Sequence, residues 1–194
     1  MLAHTRYNKG DSAMADQPIE DNELINQVYI EAFERIGQLV HHAVKDLSEH
    51  ELAFRPEAHG NSIAWLVWHL ARVQDSHLAE LRDAEEVWTA GARSWQQKFD
   101  LPFEASATGY GHSSEEVDMV QASSALLVGY YDAVQKATHH YLSQLRAGDY
   151  TRVVDPSWDP PVTLLMRLVS VISDDLQHVG QAMYVRGLLE RTDD

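Results

Sequence analysis

The sequence contains no cysteine, which excludes disulfide bonds, thiolate metal ligands and a cysteine nucleophile. It has no apolar run close to the roughly 18 residues of a membrane span, and its first residues lack the apolar centre of a signal peptide. Any thiol chemistry must therefore use a thiol that comes from outside the chain. We expect a cytoplasmic protein without a membrane partner.

Positive charge is scarce as well. The chain has 15 Lys and Arg against 30 Asp and Glu, which gives a net charge of −15 at neutral pH. Nucleic acids and anionic membrane surfaces are bound mainly through basic patches. This charge balance argues against both as partners.

The length of 194 residues is sufficient for one domain with a sizeable core. Residues 1–20 are polar and show no hydrophobic periodicity, which predicts a flexible leader. We predict that residues 21–190 form the folded domain.

Four segments space their apolar residues three and four positions apart, as amphipathic helices do. They run from Asp21 to about Leu47, from Ser62 to about Ala84, from Ser114 to about Leu145 and from Val162 to Leu189. Ser113 and Glu116 have the spacing of a capping box at the start of the third. No segment shows a strand pattern, and residues 84–113 are irregular. The sequence predicts an all-α four-helix bundle with a long irregular connection between helices two and three.

The stretch "SDDLQHVGQA" in the last predicted helix places Asp174 and His178 one turn apart within an apolar stripe. His69 lies on an apolar face of the second predicted helix. In helical bundles, two imidazoles and one carboxylate from facing helices can hold a divalent metal, and such a triad leaves coordination positions open for a reactant. These three residues are the predicted metal ligands.

The spacing also allows a simpler interpretation. An Asp and a His at i,i+4 are commonly a surface pair, and an isolated His such as His69 is commonly a hydrogen-bonded core residue. A metal site requires the two helix faces to meet, and spacing does not decide whether they do.

The segments "SIAWLVWHLARVQDSHL" and "SDDLQHVGQAMYVRGLL" resemble the DinB-like superfamily. These metal-binding four-helix bundles include mycothiol and bacillithiol S-transferases and the mycothiol-dependent maleylpyruvate isomerase. The resemblance extends from about Leu24 to Leu189, and its most specific element is a histidine before x-Gly-Gln, here His178. It implies the same three metal ligands. Many members have histidine where this chain has Asp174, and the isomerase has glutamate there.

The resemblance implies a metal-dependent transferase of the detoxification type. Zinc is the expected metal, with nickel, iron and manganese as alternatives. A divalent ion with open positions holds an incoming low-molecular-weight thiol as the thiolate, which then attacks an electrophilic small molecule. We expect the thiol to be mycothiol, and bundles of this kind also imply a homodimer. Two alternatives remain, namely a non-catalytic stress-related binding protein and a metal-dependent hydrolase that uses the same site.

Five further residues are predicted near the metal, as substrate contacts or as groups that orient the ligands: Trp65, His77, Tyr110, His112 and Gln181. Trp65 also fits a core position. His77 lies two turns beyond His69 but about 80° around the helix, so it also fits a surface or interface position. Tyr110 and His112 lie in a glycine-containing loop ahead of a helix N-terminus, where an acidic ligand group could bind, although the same pattern suits an ordinary capped turn.

Overall fold

Four long helices form the bundle in the computed structural model, which describes residues 21–192. They are α1 (Asp21–Val44), α3 (Ile63–Arg82), α6 (Ser124–Leu142) and α7 (Leu164–Thr192). Helix α3 packs against α6 and α7, and α1 packs against the same two helices. The predicted all-α four-helix architecture is confirmed, whereas the predicted leader, residues 1–20, lies outside the described residues.

Shorter elements connect the long helices. They are α2 (Glu49–Leu52), α4 (Trp95–Phe99), α5 (Ser114–Asp118), a 3₁₀ helix (Ala147–Thr151) and the strands β1 (Val153–Asp155) and β2 (Val162–Thr163). None of the helices described between residues 21 and 192 combines the length and apolarity needed to cross a membrane.

Helix α3 is the most deeply buried helix of the bundle. The Ser62 hydroxyl caps its first turn by accepting a hydrogen bond from the Trp65 backbone N–H. Fifteen of its twenty residues are buried, including the polar His69, Arg72 and Asp75. Because buried polar groups are costly without partners, these three side chains must be paired or serve a site.

Asp75 fixes the start of the connection between α3 and α5. Its two carboxylate oxygens accept hydrogen bonds from the backbone N–H groups of Val87 and Trp88, at 2.9 and 2.8 Å. The Tyr130 hydroxyl of α6 donates to the same carboxylate at 2.8 Å. The long connection is confirmed, and Asp75 binds its first residues to two helices of the bundle.

Arg72 fixes both ends of this connection. Its guanidinium donates to the Glu86 carboxylate near the start, at 2.8 Å, and to the carbonyls of Ala105 and Ala107 near the end, at 3.1 and 3.0 Å. The Arg72 side chain is fully buried, so its charge is compensated within the protein. The segment that follows Ala107 is therefore held against α3.

The prediction of one continuous third helix was wrong. The Ser113–Glu116 capping box opens α5 as predicted, but α5 ends at Asp118, and α6 begins only at Ser124. The Ser123 hydroxyl accepts a hydrogen bond from the Leu126 backbone N–H and thereby starts a new helix. Val120 lies between the two helices and is completely buried, so the apolar spacing continues across the break.

The prediction that the chain has no strand was also wrong. Strands β1 and β2 pair antiparallel on either side of the proline-rich turn, and Val162 belongs to β2 instead of the last helix. With three and two residues, the strands are too short to show an alternating pattern. Their pairing depends on the turn that brings them together, and α7 consequently starts at Leu164.

Candidate metal centre

His69, Asp174 and His178 converge where α3 packs against α7. Each offers one potential ligand atom, and these three atoms lie within 4.8 Å of one another. The two imidazole rings meet edge to face, with centroids 4.6 Å apart, and the Asp174 Oδ1 lies 3.6 Å from the His178 Nε2. The two helix faces therefore meet, as the metal interpretation requires.

His69 is held in one orientation by its surroundings. Its Nδ1 lies 2.6 Å from the Thr108 carbonyl oxygen, which can only accept, so Nδ1 carries the proton and Nε2 is free to bind a metal. The Trp65 indole stacks on the ring at a centroid distance of 4.6 Å. Burial lowers the pKa of His69 and so favours the neutral imidazole, the form that binds a cation.

Asp174 has an oxygen that needs a partner. Its Oδ2 is buried and has no hydrogen-bond partner in the part of the chain that the structure describes. Burial opposes ionisation of this carboxyl, but the neighbouring His178 and then His69 lower its pKa below the ordinary value. A buried carboxylate oxygen without a donor is costly unless a cation compensates it. This donor set therefore fits a divalent cation bound through two nitrogens and one oxygen.

His178 is positioned by the next turn of its own helix. Its Nδ1 donates to the Gln181 Oε1 at 3.3 Å, which leaves Nε2 directed toward Asp174. Burial lowers the pKa of His178, but the Asp174 carboxylate outweighs this effect and raises the pKa above the ordinary value. Gln181 thus orients a candidate ligand, as a hydrogen-bond partner of a metal-binding histidine commonly does.

Trp65 and His112 extend the site on the side of the connection. The Trp65 Nε1 donates to the His112 Nδ1 at 3.2 Å. His112 also stacks near Trp68, with centroids 5.7 Å apart, and packs against Phe103 at 4.5 Å. Trp65, His112 and Gln181 are therefore brought together around the three candidate ligands, with Trp65 directly against His69.

His77 and Tyr110 are placed differently. The Nη1 of Arg167 donates to the His77 Nδ1 at 2.8 Å, and the same guanidinium donates to Asp155 at 3.2 Å. Burial, and then the positive charge of Arg167, lower the pKa of His77, against the smaller opposing effects of Glu80 and the candidate ligand Asp174. Tyr110 is 92% exposed. The structure thus joins His77 to the β hairpin and directs Tyr110 to solvent.

Asp175 is a buried residue that the sequence analysis missed. It is fully buried, and neither of its oxygens has a hydrogen-bond partner among residues 21–192. Burial, and then the charge of Asp174, raise its pKa well above the ordinary range. A signal was present, because Asp175 lies four residues after Val171 and four before Val179, in the most buried stripe of α7.

Comparisons with known proteins agree with this fold. The sequence pattern of the DinB superfamily matches residues 32–182, a range that includes all three candidate ligands. The solved structure of a conserved protein from Enterococcus faecalis is 31% identical in sequence and superposes with a TM-score of 0.77, covering 84% of this chain and 95% of that one. No functionally curated protein matches the chain. Because the sequence match covers most of the chain and the solved structure shares the bundle, the chain belongs to the DinB superfamily.

Proposed function

We propose that the protein is a metal-dependent transferase that joins a low-molecular-weight thiol to an electrophilic small molecule, as in detoxification. The observation that carries the proposal is the convergence of His69, Asp174 and His178 around the unpartnered Oδ2 of Asp174. The chain has no cysteine, so the nucleophilic sulfur comes from a cosubstrate. We propose mycothiol as that thiol and zinc as the metal, with nickel, iron and manganese as alternatives.

A divalent ion at this site would stabilise a thiolate at neutral pH and so supply the nucleophile. The protein supplies the arrangement of donors. Thr108 and Gln181 fix the two imidazoles, and the lowered pKa of Asp174 keeps its carboxylate ionised at neutral pH. Two imidazoles in the neutral form that binds a cation and one carboxylate would compensate only part of a divalent charge, which would leave the site attractive to an anionic sulfur.

The environment of the ligands supports the same chemistry. His69 is only 5% exposed, and Trp65 covers one face of its ring. Asp174 and His178 keep side-chain exposures of 35% and 19%, so the site is open on the α7 side. A reactant can approach from that side while the α3 side stays dry, which strengthens electrostatic interactions within the site.

The proposal is tested by elemental analysis of the purified protein and by conjugation of mycothiol to monobromobimane after metal reconstitution. We expect about one divalent ion per chain and a conjugation rate above the background reaction. His178→Ala should lose both, whereas His42→Ala, at an exposed position on α1, should keep both. Unchanged metal content and conjugation in His178→Ala would show that the proposal is wrong.

The same assays separate the alternative functions. Turnover of a hydrolysable substrate without added thiol would indicate a hydrolase that uses the same site. Metal binding without turnover in either assay would indicate a non-catalytic binding protein. Only thiol-dependent turnover that is lost with the metal supports the transferase.

We also propose that the protein works in the cytoplasm as a homodimer. Cytosolic thiols are kept reduced, as a thiol-dependent enzyme requires. Helix α7 exposes Leu165, Val169 and Leu176 on one face, an apolar stripe suited to a second copy of the chain. Light scattering coupled to size-exclusion chromatography should give twice the chain mass, and Val169→Lys should reduce it to the monomer mass.

A further inference from the structure

A pocket of about 440 Å³ lies beside the metal centre, between α7 and the segment that leads into α3. Its volume is within the range of small-molecule sites. The lining combines apolar side chains with uncharged hydrogen-bonding ones: Pro56, Leu66 and Val185, and Asn61, Gln181 and Tyr184.

The pocket and the metal centre share a wall. Gln181 lines the pocket and accepts the hydrogen bond from the His178 Nδ1 at 3.3 Å. A molecule in the pocket would therefore lie next to a side chain that contacts one of the three candidate ligands, His178.

Gly180 keeps this pocket open. It lies within α7 and lines the pocket, and a Cβ added there would meet nothing within 4 Å. Glycine inside a helix costs roughly 1 kcal/mol of stability relative to alanine. Neither a close helix contact nor a positive φ explains this cost at position 180. The missing side chain leaves space on this wall of the pocket, which a larger residue would fill.

The lining also defines the chemistry of the ligand. Over the described ranges of the chain, no Asp, Glu, Lys or Arg lines the pocket. A charged molecule would lose hydration there without gaining a counter-charge, and the net charge of −15 further disfavours anions. The apolar side chains suit a molecule with an apolar body, which hydroxyl-rich or charged low-molecular-weight thiols do not have.

We infer that this pocket binds the electrophilic substrate, and that this substrate is an uncharged organic molecule with an apolar body and a hydrogen-bonding group. The inference rests on the proposed function. With a benzylic chloride, the sulfur forms a bond to the benzylic carbon, chloride leaves with the bonding electron pair, and the thiol proton passes to solvent. The amides of Asn61 and Gln181 can hold a polar group of the electrophile.

Binding of an unreactive probe tests the pocket without thiol or metal. We expect metal-free protein to bind 4-nitrobenzyl alcohol, with shifts in the NMR signal of the Gly180 amide, and to bind the anionic 4-(hydroxymethyl)benzoate at least tenfold more weakly. Gly180→Leu should weaken binding of 4-nitrobenzyl alcohol at least tenfold. Gly187→Leu is the matched control on the same helix, because a Cβ there makes only an ordinary contact with Arg191, at 3.6 Å. Melting temperatures verify that both variants fold.

Several results would overturn the inference. The first is that 4-nitrobenzyl alcohol does not bind up to its solubility limit, and the second is that the anionic probe binds equally well. The third is that the Gly180→Leu and wild-type proteins have equal affinity for 4-nitrobenzyl alcohol. Because these measurements need no turnover, they can fail while thiol transfer is observed, or succeed while it is not. The pocket and the proposed function are thus tested separately.

Kinetics of the metal-loaded enzyme then show whether the pocket binds the electrophile or the thiol. With mycothiol and 4-nitrobenzyl chloride, Gly180→Leu should raise KM for the chloride at least tenfold and leave metal content and KM for the thiol unchanged. Gly187→Leu should leave all three unchanged. A rise in KM for the thiol alone would assign the pocket to the thiol and overturn the inference.

Discussion

Gly109 packs against His69 so closely that a Cβ at position 109 would lie 2.9 Å from the imidazole Nδ1. The φ of Gly109 is +93°, in the region that glycine tolerates and other residues avoid. The preceding residue, Thr108, supplies the carbonyl that accepts the hydrogen bond from the same Nδ1. The end of the long connection therefore positions a candidate metal ligand through both a hydrogen bond and direct packing.

Two glycine substitutions separate backbone strain from displacement of His69. Gly111 also has a positive φ, of +78°, but a Cβ there would meet nothing within 4 Å. We expect Gly109→Ala and Gly111→Ala each to lower the free energy of unfolding by about 1–2 kcal/mol through backbone strain. Gly109→Ala alone should also weaken metal binding, at least tenfold. Urea denaturation and titration against a competing chelator measure the two effects, and equal metal affinities in the two variants would contradict this assignment.

Arg72→Met removes the buried guanidinium that holds both ends of the connection. The change leaves the Glu86 carboxylate and two backbone carbonyls without their donor, so we expect a loss of about 3–5 kcal/mol in the free energy of unfolding. Arg35→Met is the matched control, because Arg35 is 70% exposed and pairs with Glu31 at the surface. Arg35→Met should change the free energy of unfolding by no more than about 0.5 kcal/mol. Urea denaturation of both variants checks the prediction, and similar losses in the two would refute it.

Asp175→Asn should stabilise the metal-free protein at neutral pH. Burial raises the pKa of the Asp175 carboxyl in the folded state, so the folded chain binds this proton more tightly than the unfolded chain. Stability therefore falls as pH rises above the ordinary aspartate pKa of about 4, and asparagine removes that loss. Thermal unfolding should show a higher melting temperature for Asp175→Asn than for the wild type at pH 7, and a smaller difference at pH 4.5. Glu34→Gln, at an exposed position, should show no such difference. A destabilised variant at pH 7 would count against this account.

His77→Gln should reduce the loss of stability in mild acid. Burial and Arg167 lower the pKa of His77 in the folded state, so below the ordinary histidine pKa of about 6.5 the unfolded chain binds more protons. The contribution of His77 is therefore present at neutral pH and is lost as pH falls below about 6.5. Glutamine can still accept from Arg167 but does not titrate. Unfolding free energies at pH 7.5 and 5.5 should differ less in His77→Gln than in the wild type, with His42→Gln as the control, and an unchanged difference would contradict the prediction.

The predicted secondary structure failed where a helix cap or the pairing of short strands is not visible in the apolar spacing. The break before α6 depends on the Ser123 cap and on a core position for Val120, neither of which interrupts the apolar spacing. Strand β2 exists because Val162 and Thr163 find a partner in β1. Periodicity detects a helix surface, but it does not detect a cap within an apolar pattern or the pairing of two short strands.

The residues of the candidate site were likewise predicted only in part. His178 and Asp174 could be proposed because residues four apart share a helix face, and His69 because of its apolar surroundings. Asp175 was missed because its acidic neighbour at position 174 fitted a predicted stripe, although the most buried stripe passes through Asp175. Adjacent positions of a helix are rotated by about 100°, so Asp174 can be a candidate ligand while Asp175 is a core residue.

The sequence by itself determined the all-α class of the fold and which metal-binding side chains share a helix face, because both follow from the local spacing of residue types. Only the tertiary structure decided that the imidazole of His69 meets Asp174 and His178, because that distance depends on how α3 packs against α7. It also decided that the Thr108 carbonyl and the bare Cα of Gly109 hold the ring in place. Main-chain groups are common to all residues, so their role at a site appears only when the chain is folded.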